Sequence, residues 1–346
     1  MKPPERLSDF DLALLQQEFE PAPPPPSGNG SKPGKPGLPD PYDMACKQAE
    51  DAIERGRVDL SNAPHWRWPT LDERLGRMMP GQLVIVGALS GNGKTSFMLS
   101  QMDWMEAEGI GTLYVPLEFN PEDLRRQWAA WRLHMDWQHV ARNEWDQLPD
   151  GSRELHEMEM ARLAQSRHIQ FPPERRIDIP DLARWVAWGV EHFQARCIII
   201  DHFHRMDFGG NTNTYRIQVS DAARALKDLA REFKITIVAT AQLNRSSPPS
   251  LLDRYVPPSI DRLKESSALA EEADVVLMLS RRLRKGSHSK ADIDAVRSGH
   301  KSERDFAEPD VMAVTCRKHR LSDAAAGDRS TMLRVVGGHV LESRTD

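Results

Sequence analysis

The sequence predicts an α/β protein with a doubly wound, mostly parallel sheet and a C-terminal β-hairpin. Three observations lead there. Short apolar runs bounded by turn residues recur, at residues 83–86, 111–115, 196–200, 235–241 and 275–279. Helical stretches separate them, and strands alternating with helices build parallel sheets. Residues with chemistry to offer stand at the C-terminal ends of the runs, where open α/β sheets bind ligands.

A chain of 346 residues accommodates one large α/β domain with appendages, or two small domains. No apolar run approaches the ~20 residues that cross a bilayer. Nor does the N-terminus read as a secretory signal, so a cytoplasmic protein is expected, in a bacterium or in the host of a virus or mobile element. Three well-separated cysteines, Cys46, Cys197 and Cys316, fit free thiols in a reducing compartment. A net charge of −5 argues against a wholly basic surface and leaves room for a local basic channel.

Residues 1–40 read as a tail. A short amphipathic helix over 7–19 (Leu7, Phe10 and Leu14 on one face) leads into a Pro/Gly/Ser/Lys segment that cannot bury a core. It is either a docking peptide or a frayed end. Residues 41–64 form a linker, with a polar helix over 42–57 whose thin stripe of Ala45, Ala49, Ala52 and Ile53 suits a neighbouring surface. Residues 65–346 form the main domain.

Its first strand, 83–86, runs into Gly87-Ala88-Leu89-Ser90-Gly91-Asn92-Gly93-Lys94-Thr95-Ser96 and a helix over 96–108. Strand, small-residue loop, Lys-Thr and helix make a P-loop. Backbone N–H groups from Ala88 to Ser96 and the helix N-terminus face a phosphate chain. Lys94 reaches the β- and γ-phosphates of an NTP, and Thr95 holds Mg²⁺. Ala88 stands where the usual pattern has its first Gly.

The second strand ends in Glu118, and a Trp-rich helical region follows over 121–165, whose tryptophans read as packing residues. A strand at 168–171, a helix at 181–193 and the run Cys197-Ile198-Ile199-Ile200-Asp201 come next. Four apolar residues before an acid have the Walker B form, with Asp201 placed for Mg²⁺. His202 and His204 then read as a loop beside the nucleotide rather than as a metal pair. A polar loop over 206–216, a helix at 218–233, a strand ending in Gln242, a helix at 260–273 and a strand at 275–279 complete the sheet. Residues 281–308 read as a charged excursion, and strands at 311–316 and 332–336 as a hairpin around a loop at 317–330. Hydrolysis needs an oriented, deprotonated water, and Glu118 at the tip of the strand beside the P-loop suits that task, or else serves as a helix N-terminal acid. Gln242 is placed to sense the γ-phosphate.

The order of these stretches resembles the C-terminal RecA-like motor domain of DnaB-type replicative helicases. The likeness runs over about 65–340 and rests on residues 81–95, Val115-Pro116-Leu117-Glu118, Ile198-Ile199-Ile200-Asp201, Ala241-Gln242-Leu243-Asn244-Arg245, residues 261–274 and Arg317-Lys318-His319-Arg320. In that family Ala at the first P-loop position is common. The resemblance implies a hexameric ring of identical subunits that hydrolyses ATP or another NTP with Mg²⁺ while moving on single-stranded DNA and unwinding duplex. It makes Glu118 the catalytic base and Gln242 the γ-phosphate sensor. Lys318 and Arg320 become a pair that enters the neighbouring site; from the residues alone they would read as a solvated charge run. Lys264, Glu265 and Ser267 match the loop that holds DNA phosphates in the channel, with Lys-Glu-Ser-Ser where the family often has Arg-Glu-Ser-Gly. Residues 1–64 offer a tail and linker in place of the family's helical N-terminal domain, so primase or a loader are partners in expectation only. Two alternatives stand beside the helicase: a RecA-like DNA-dependent ATPase acting as recombinase or loader, and a nucleotide-gated interaction subunit.

Overall fold

The computed structural model describes residues 63–173, 176–208, 215–243, 257–283, 307–322, 325–327 and 329–343. The expected tail, the linker helix and most of the charged excursion lie outside these residues, as does 209–214 of the polar loop.

In chain order the elements are α1 (Pro69–Leu75), β1 (Leu83–Ala88), α2 (Lys94–Ala107), β2 (Thr112–Pro116), α3 (Pro121–Arg132), α4 (Trp137–Arg142), α5 (Ser152–Ala164), β3 (Ile169–Gln170), α6 (Ile179–Phe193), β4 (Cys197–Asp201), α7 (Tyr215–Glu232), β5 (Thr236–Gln242), α8 (Ser267–Glu272), β6 (Val275–Leu283), β7 (Ala307–His319), β8 (Ser330–Val336) and β9 (His339–Glu342). The nine strands form one sheet in the order β3-β2-β4-β5-β1-β6-β7-β8-β9. β3 to β6 pair in parallel, and β6 to β9 are antiparallel.

β1 is buried along its whole length because helices cover both faces of a parallel sheet interior. Its pleat sends Val84 and Val86 into one core with Trp68, Phe97, Met98, Tyr114 and Ile199. Leu83 and Ile85 enter the other with Ile198, Ile200, Leu226 and Ile237. A buried ion pair fixes the strand's start. Lys227 on α7 donates to Asp274 Oδ2 at 2.5 Å and to the Gly81 carbonyl at 2.7 Å, and the Leu83 N–H donates to the same Oδ2 at 2.8 Å. Burial lowers the Lys227 pKa, and Asp274 opposes that shift.

Three expectations are corrected. The helical region over 121–165 divides into α3, α4 and α5, because His134, Asn143 and Gly151 take left-handed φ values of 55°, 58° and 80°. Trp128 and Trp131 within it are buried packing residues, as expected. The helix expected over 260–273 is a 3₁₀ segment, Ile260–Ser266, followed by α8. Leu263, buried in the core, departs from helical geometry, and Ser266 and Ser267 at the junction are poor helix formers. The C-terminal hairpin is larger than expected. β7 extends to His319, whose Nε2 lies 2.9 Å from the Leu75 carbonyl, and Gly337-Gly338 turn the chain into the additional strand β9. Both glycines have positive φ, 55° and 83°, as two-residue hairpin turns require.

Candidate active site

The phosphate-binding loop leaves β1 at Ala88. Ala88 still belongs to the strand, and its carbonyl accepts the Leu243 N–H at 3.2 Å, so this position needs no glycine. The crowded position is Gly87, where a Cβ would stand 2.7 Å from Met278 Sδ. Gly93 starts α2 with a φ of 87°, which an L side chain rarely adopts. Ser90 and Gly91 are exposed at the rim, Asn92 is buried beneath it, and Thr95 and Ser96 open the helix.

Lys94 is buried and folds back, donating from Nζ to the Ala88 carbonyl at 3.1 Å. Burial lowers its pKa, while the charges of Asp201 and Glu118 act against that shift. The ammonium therefore lies at the loop that a phosphate chain would fill, within the electrostatic reach of both carboxylates.

Asp201, at the end of β4, is held from three sides. Oδ1 accepts from the Thr240 hydroxyl at 2.6 Å; Oδ2 accepts from the Tyr114 hydroxyl at 2.9 Å and from the Thr95 hydroxyl at 3.4 Å. Burial, then the negative charge of Asp201, holds the Tyr114 phenol well above its ordinary pKa, so it stays a donor. The Asp201 carbonyl takes the Leu117 and Glu118 N–H groups at 2.7 and 3.2 Å, joining the Walker B strand to the turn that presents Glu118. Glu118 is exposed. Gln242, also exposed, pairs in register with Ala88. The fold thus brings the P-loop, Lys94, Thr95, Glu118, Asp201 and Gln242 to one end of the sheet.

Three residues of this site were not singled out from the sequence. Tyr114 and Thr240 orient Asp201. Arg281 on β6 lies beside the loop, with Nη2 3.5 Å from where a Gly93 Cβ would stand. His202, which the sequence does single out as a loop residue beside the nucleotide, is buried next to Asp201, and burial lowers its pKa. Among the described residues no group of three or more His, Cys, Asp or Glu could hold a metal ion. Tyr114→Phe removes a hydrogen bond to a buried carboxylate and is expected to lower stability by about 1.5–3 kcal/mol in denaturant unfolding. A loss below about 0.5 kcal/mol would show that the bond contributes nothing net.

Lys318 and Arg320 are elsewhere. Ala88 pairs with Leu279 in the middle of β6, whereas Lys318 pairs with Val276 at its start, roughly 10 Å along the strand. There Lys318 Nζ donates to the Ala270 and Glu271 carbonyls at 2.7 and 2.9 Å. Arg320 donates from Nη2 to the Glu271 carbonyl at 2.6 Å and lies 3.4 Å from Asp274 Oδ1. Both cations thus bind the C-terminal carbonyls of α8, which a helix leaves without internal partners. Lys264, Glu265 and Ser267 follow the backbone of the 3₁₀ segment and the first residue of α8; their side chains lie outside the described residues.

The model of the DnaB-like helicase C terminal domain matches residues 67–325. A replicative DNA helicase DnaB of Leifsonia xyli is 26% identical over 227 residues, covering 61% of this chain and 45% of that protein. One of Helicobacter pylori is 27% identical over 240 residues, covering 66% and 45%. The chain therefore spans less than half the length of these relatives. Among solved structures, an isolated ATPase domain superposes with a TM-score of 0.63 at 18% identity, covering 88% of this chain and 99% of that one. A DnaB-like replicative helicase studied with primase gives 0.67 at 18% identity, covering 89% and 69%. These likenesses establish a RecA-like fold, and the match over 67–325 shows that the chain belongs to the family of the DnaB-like helicase C terminal domain.

Proposed function

We propose that the chain is the motor of an ATP-dependent replicative DNA helicase, acting in the cytoplasm as a hexameric ring on single-stranded DNA. The observation that carries this reading is the separation of two half-sites. The phosphate loop, Asp201 and Glu118 lie at one end of the sheet, while Lys318 and Arg320 lie towards the other. Halves held apart within one chain can meet between subunits, and a ring brings every pair together.

In this reading Lys94 leaves the Ala88 carbonyl for the β- and γ-phosphate oxygens. Glu118 takes the proton of the attacking water. Gln242, opposite Ala88, contacts the γ-phosphate and reports its loss to the loop behind β5. Arg320 and Lys318 swing from α8 to the next subunit's triphosphate, where a cation supplied in trans stabilises transition-state charge. Thr95 and Asp201 offer a hydroxyl and a carboxylate oxygen 3.4 Å apart, a hard-oxygen donor set of the kind Mg²⁺ takes while retaining several waters. Bound there, Mg²⁺ would neutralise phosphate charge. Lys264, Glu265 and Ser267 line the channel and grip DNA phosphates without reading bases. Primase or a loader completes the assembly; the solved relative studied with primase supports that partner class. Residues 1–40 serve as tail and 41–64 as linker.

The test is electron microscopy of the full chain with an ATP analogue and single-stranded DNA, together with a forked-duplex unwinding assay. Closed rings that unwind the fork are expected. ATP-dependent strand exchange without unwinding would contradict the proposal.

A further inference from the structure

The strand that carries the basic pair holds both ends of the segment assigned to DNA. At the entry, Arg317 donates from Nε to the Pro258 carbonyl and from Nη2 to the Pro257 carbonyl, both at 2.9 Å. Proline has no N–H, so these carbonyls belong to a stretch that cannot complete a strand ladder, and a forked guanidinium suits two of them. From there the chain runs through Ile260–Ser266 and α8. At the exit, Lys318 and Arg320 hold the Ala270 and Glu271 carbonyls.

Arg317 stands at a special place on β7. Leu277 pairs with Cys316 and Val276 with Lys318, so Arg317 is the extra residue of a β-bulge. A bulge redirects a side chain and resets the phase of the residues after it. This one aims Arg317 at the two prolines and leaves Lys318 directed at the α8 carbonyls.

Lys318 and Arg320 cannot bind the α8 carbonyls and a neighbour's triphosphate together. When they leave, the exit of the segment loses its cationic partners and the entry keeps Arg317. Two arrangements of one element, biased by ligands at two places, are the physical basis of coupling. Resting on the function proposed above, we infer that Arg317 is a positioning residue: through the Pro257 and Pro258 carbonyls it couples DNA held by the 260–267 segment to the reach of Lys318 and Arg320 into the next site.

The test compares the wild-type chain with Arg317→Gln, Arg317→Lys and Arg320→Ala. ATP turnover is measured with and without single-stranded DNA, oligonucleotide affinity with and without a non-hydrolysable ATP analogue, and thermal stability alongside. In Arg317→Gln, stimulation of turnover by DNA is expected to fall by about fivefold or more, the lower end of measured couplings. The factor by which the analogue tightens DNA binding should fall too, matched by an equal fall in the factor by which DNA tightens analogue binding, because binding linkage is reciprocal. Melting temperature and nucleotide-free DNA affinity should hold, and Arg317→Lys, which keeps the cation without the rigid fork, should recover part of the coupling.

Undiminished DNA stimulation in Arg317→Gln would overturn the inference. So would parallel losses of DNA-free turnover, DNA affinity and melting temperature, since those mark a merely structural contact. Should Arg317→Gln not fold, wild-type coupling in Arg317→Lys would overturn it equally. Failure of the parent reading looks different: Arg320→Ala would then turn over ATP at the wild-type rate, and the coupling inference would fall with it.

Discussion

Glu118→Gln is expected to keep nucleotide affinity within a few-fold and to reduce ATP turnover by about 10²–10⁴, the usual contribution of a positioned general base. The substitution preserves shape and removes the acceptor of the water's proton. Glu118 is exposed on a turn whose N–H is bonded to the Asp201 carbonyl, so the fold should tolerate the change. Steady-state turnover, with binding of a fluorescent nucleotide as control, checks this. Turnover within about tenfold of wild type would mean that Glu118 contributes less than a positioned base does and leave it the role of an acid before α3.

Arg320→Ala carries the second large effect. A cation supplied in trans to a phosphoryl-transfer site is worth about 10³–10⁵ in turnover. Within its own subunit Arg320 is partly exposed, with a contact to Asp274 at 3.4 Å and a bond to a helix-terminal carbonyl. Asp274 is buried but keeps Lys227, so loss of this partly exposed contact should cost only about 1 kcal/mol. The variant should therefore melt close to wild type and still be nearly inert in steady-state hydrolysis. A large drop in melting temperature with turnover retained would assign Arg320 to the fold rather than to the chemistry.

What could be read from the sequence follows from how each residue is specified. β1, its loop, Lys94, Thr95 and Asp201 were legible because buried parallel strands are continuous apolar runs and a phosphate loop concentrates small residues at one strand end. Tyr114 and Thr240 were not, since each is a single polar residue inside an apolar strand. Only the pairing of β2 with β4 and of β4 with β5 brings their hydroxyls to Asp201. Arg281 was hidden because β6 continues to Leu283, past the point where apolar patterning ends at Leu279. β9 was signalled by Gly337-Gly338 but is only His339–Glu342, too short for its alternation to stand out. The role of Lys318 and Arg320 came from family resemblance alone. Their spacing resembles any charge run, and the fold places them away from their own phosphate loop.

The most direct test of a site shared between subunits is to mix Glu118→Gln with Arg320→Ala and measure ATP turnover in the presence of single-stranded DNA. In mixed rings an Arg320→Ala subunit still offers Glu118, and a Glu118→Gln neighbour still offers Arg320. Random mixing at equal amounts completes about a quarter of the interfaces in a ring of identical folds. Two nearly inert preparations should together regain a comparable share of wild-type turnover. No recovery in rings shown to contain both variants would contradict the account.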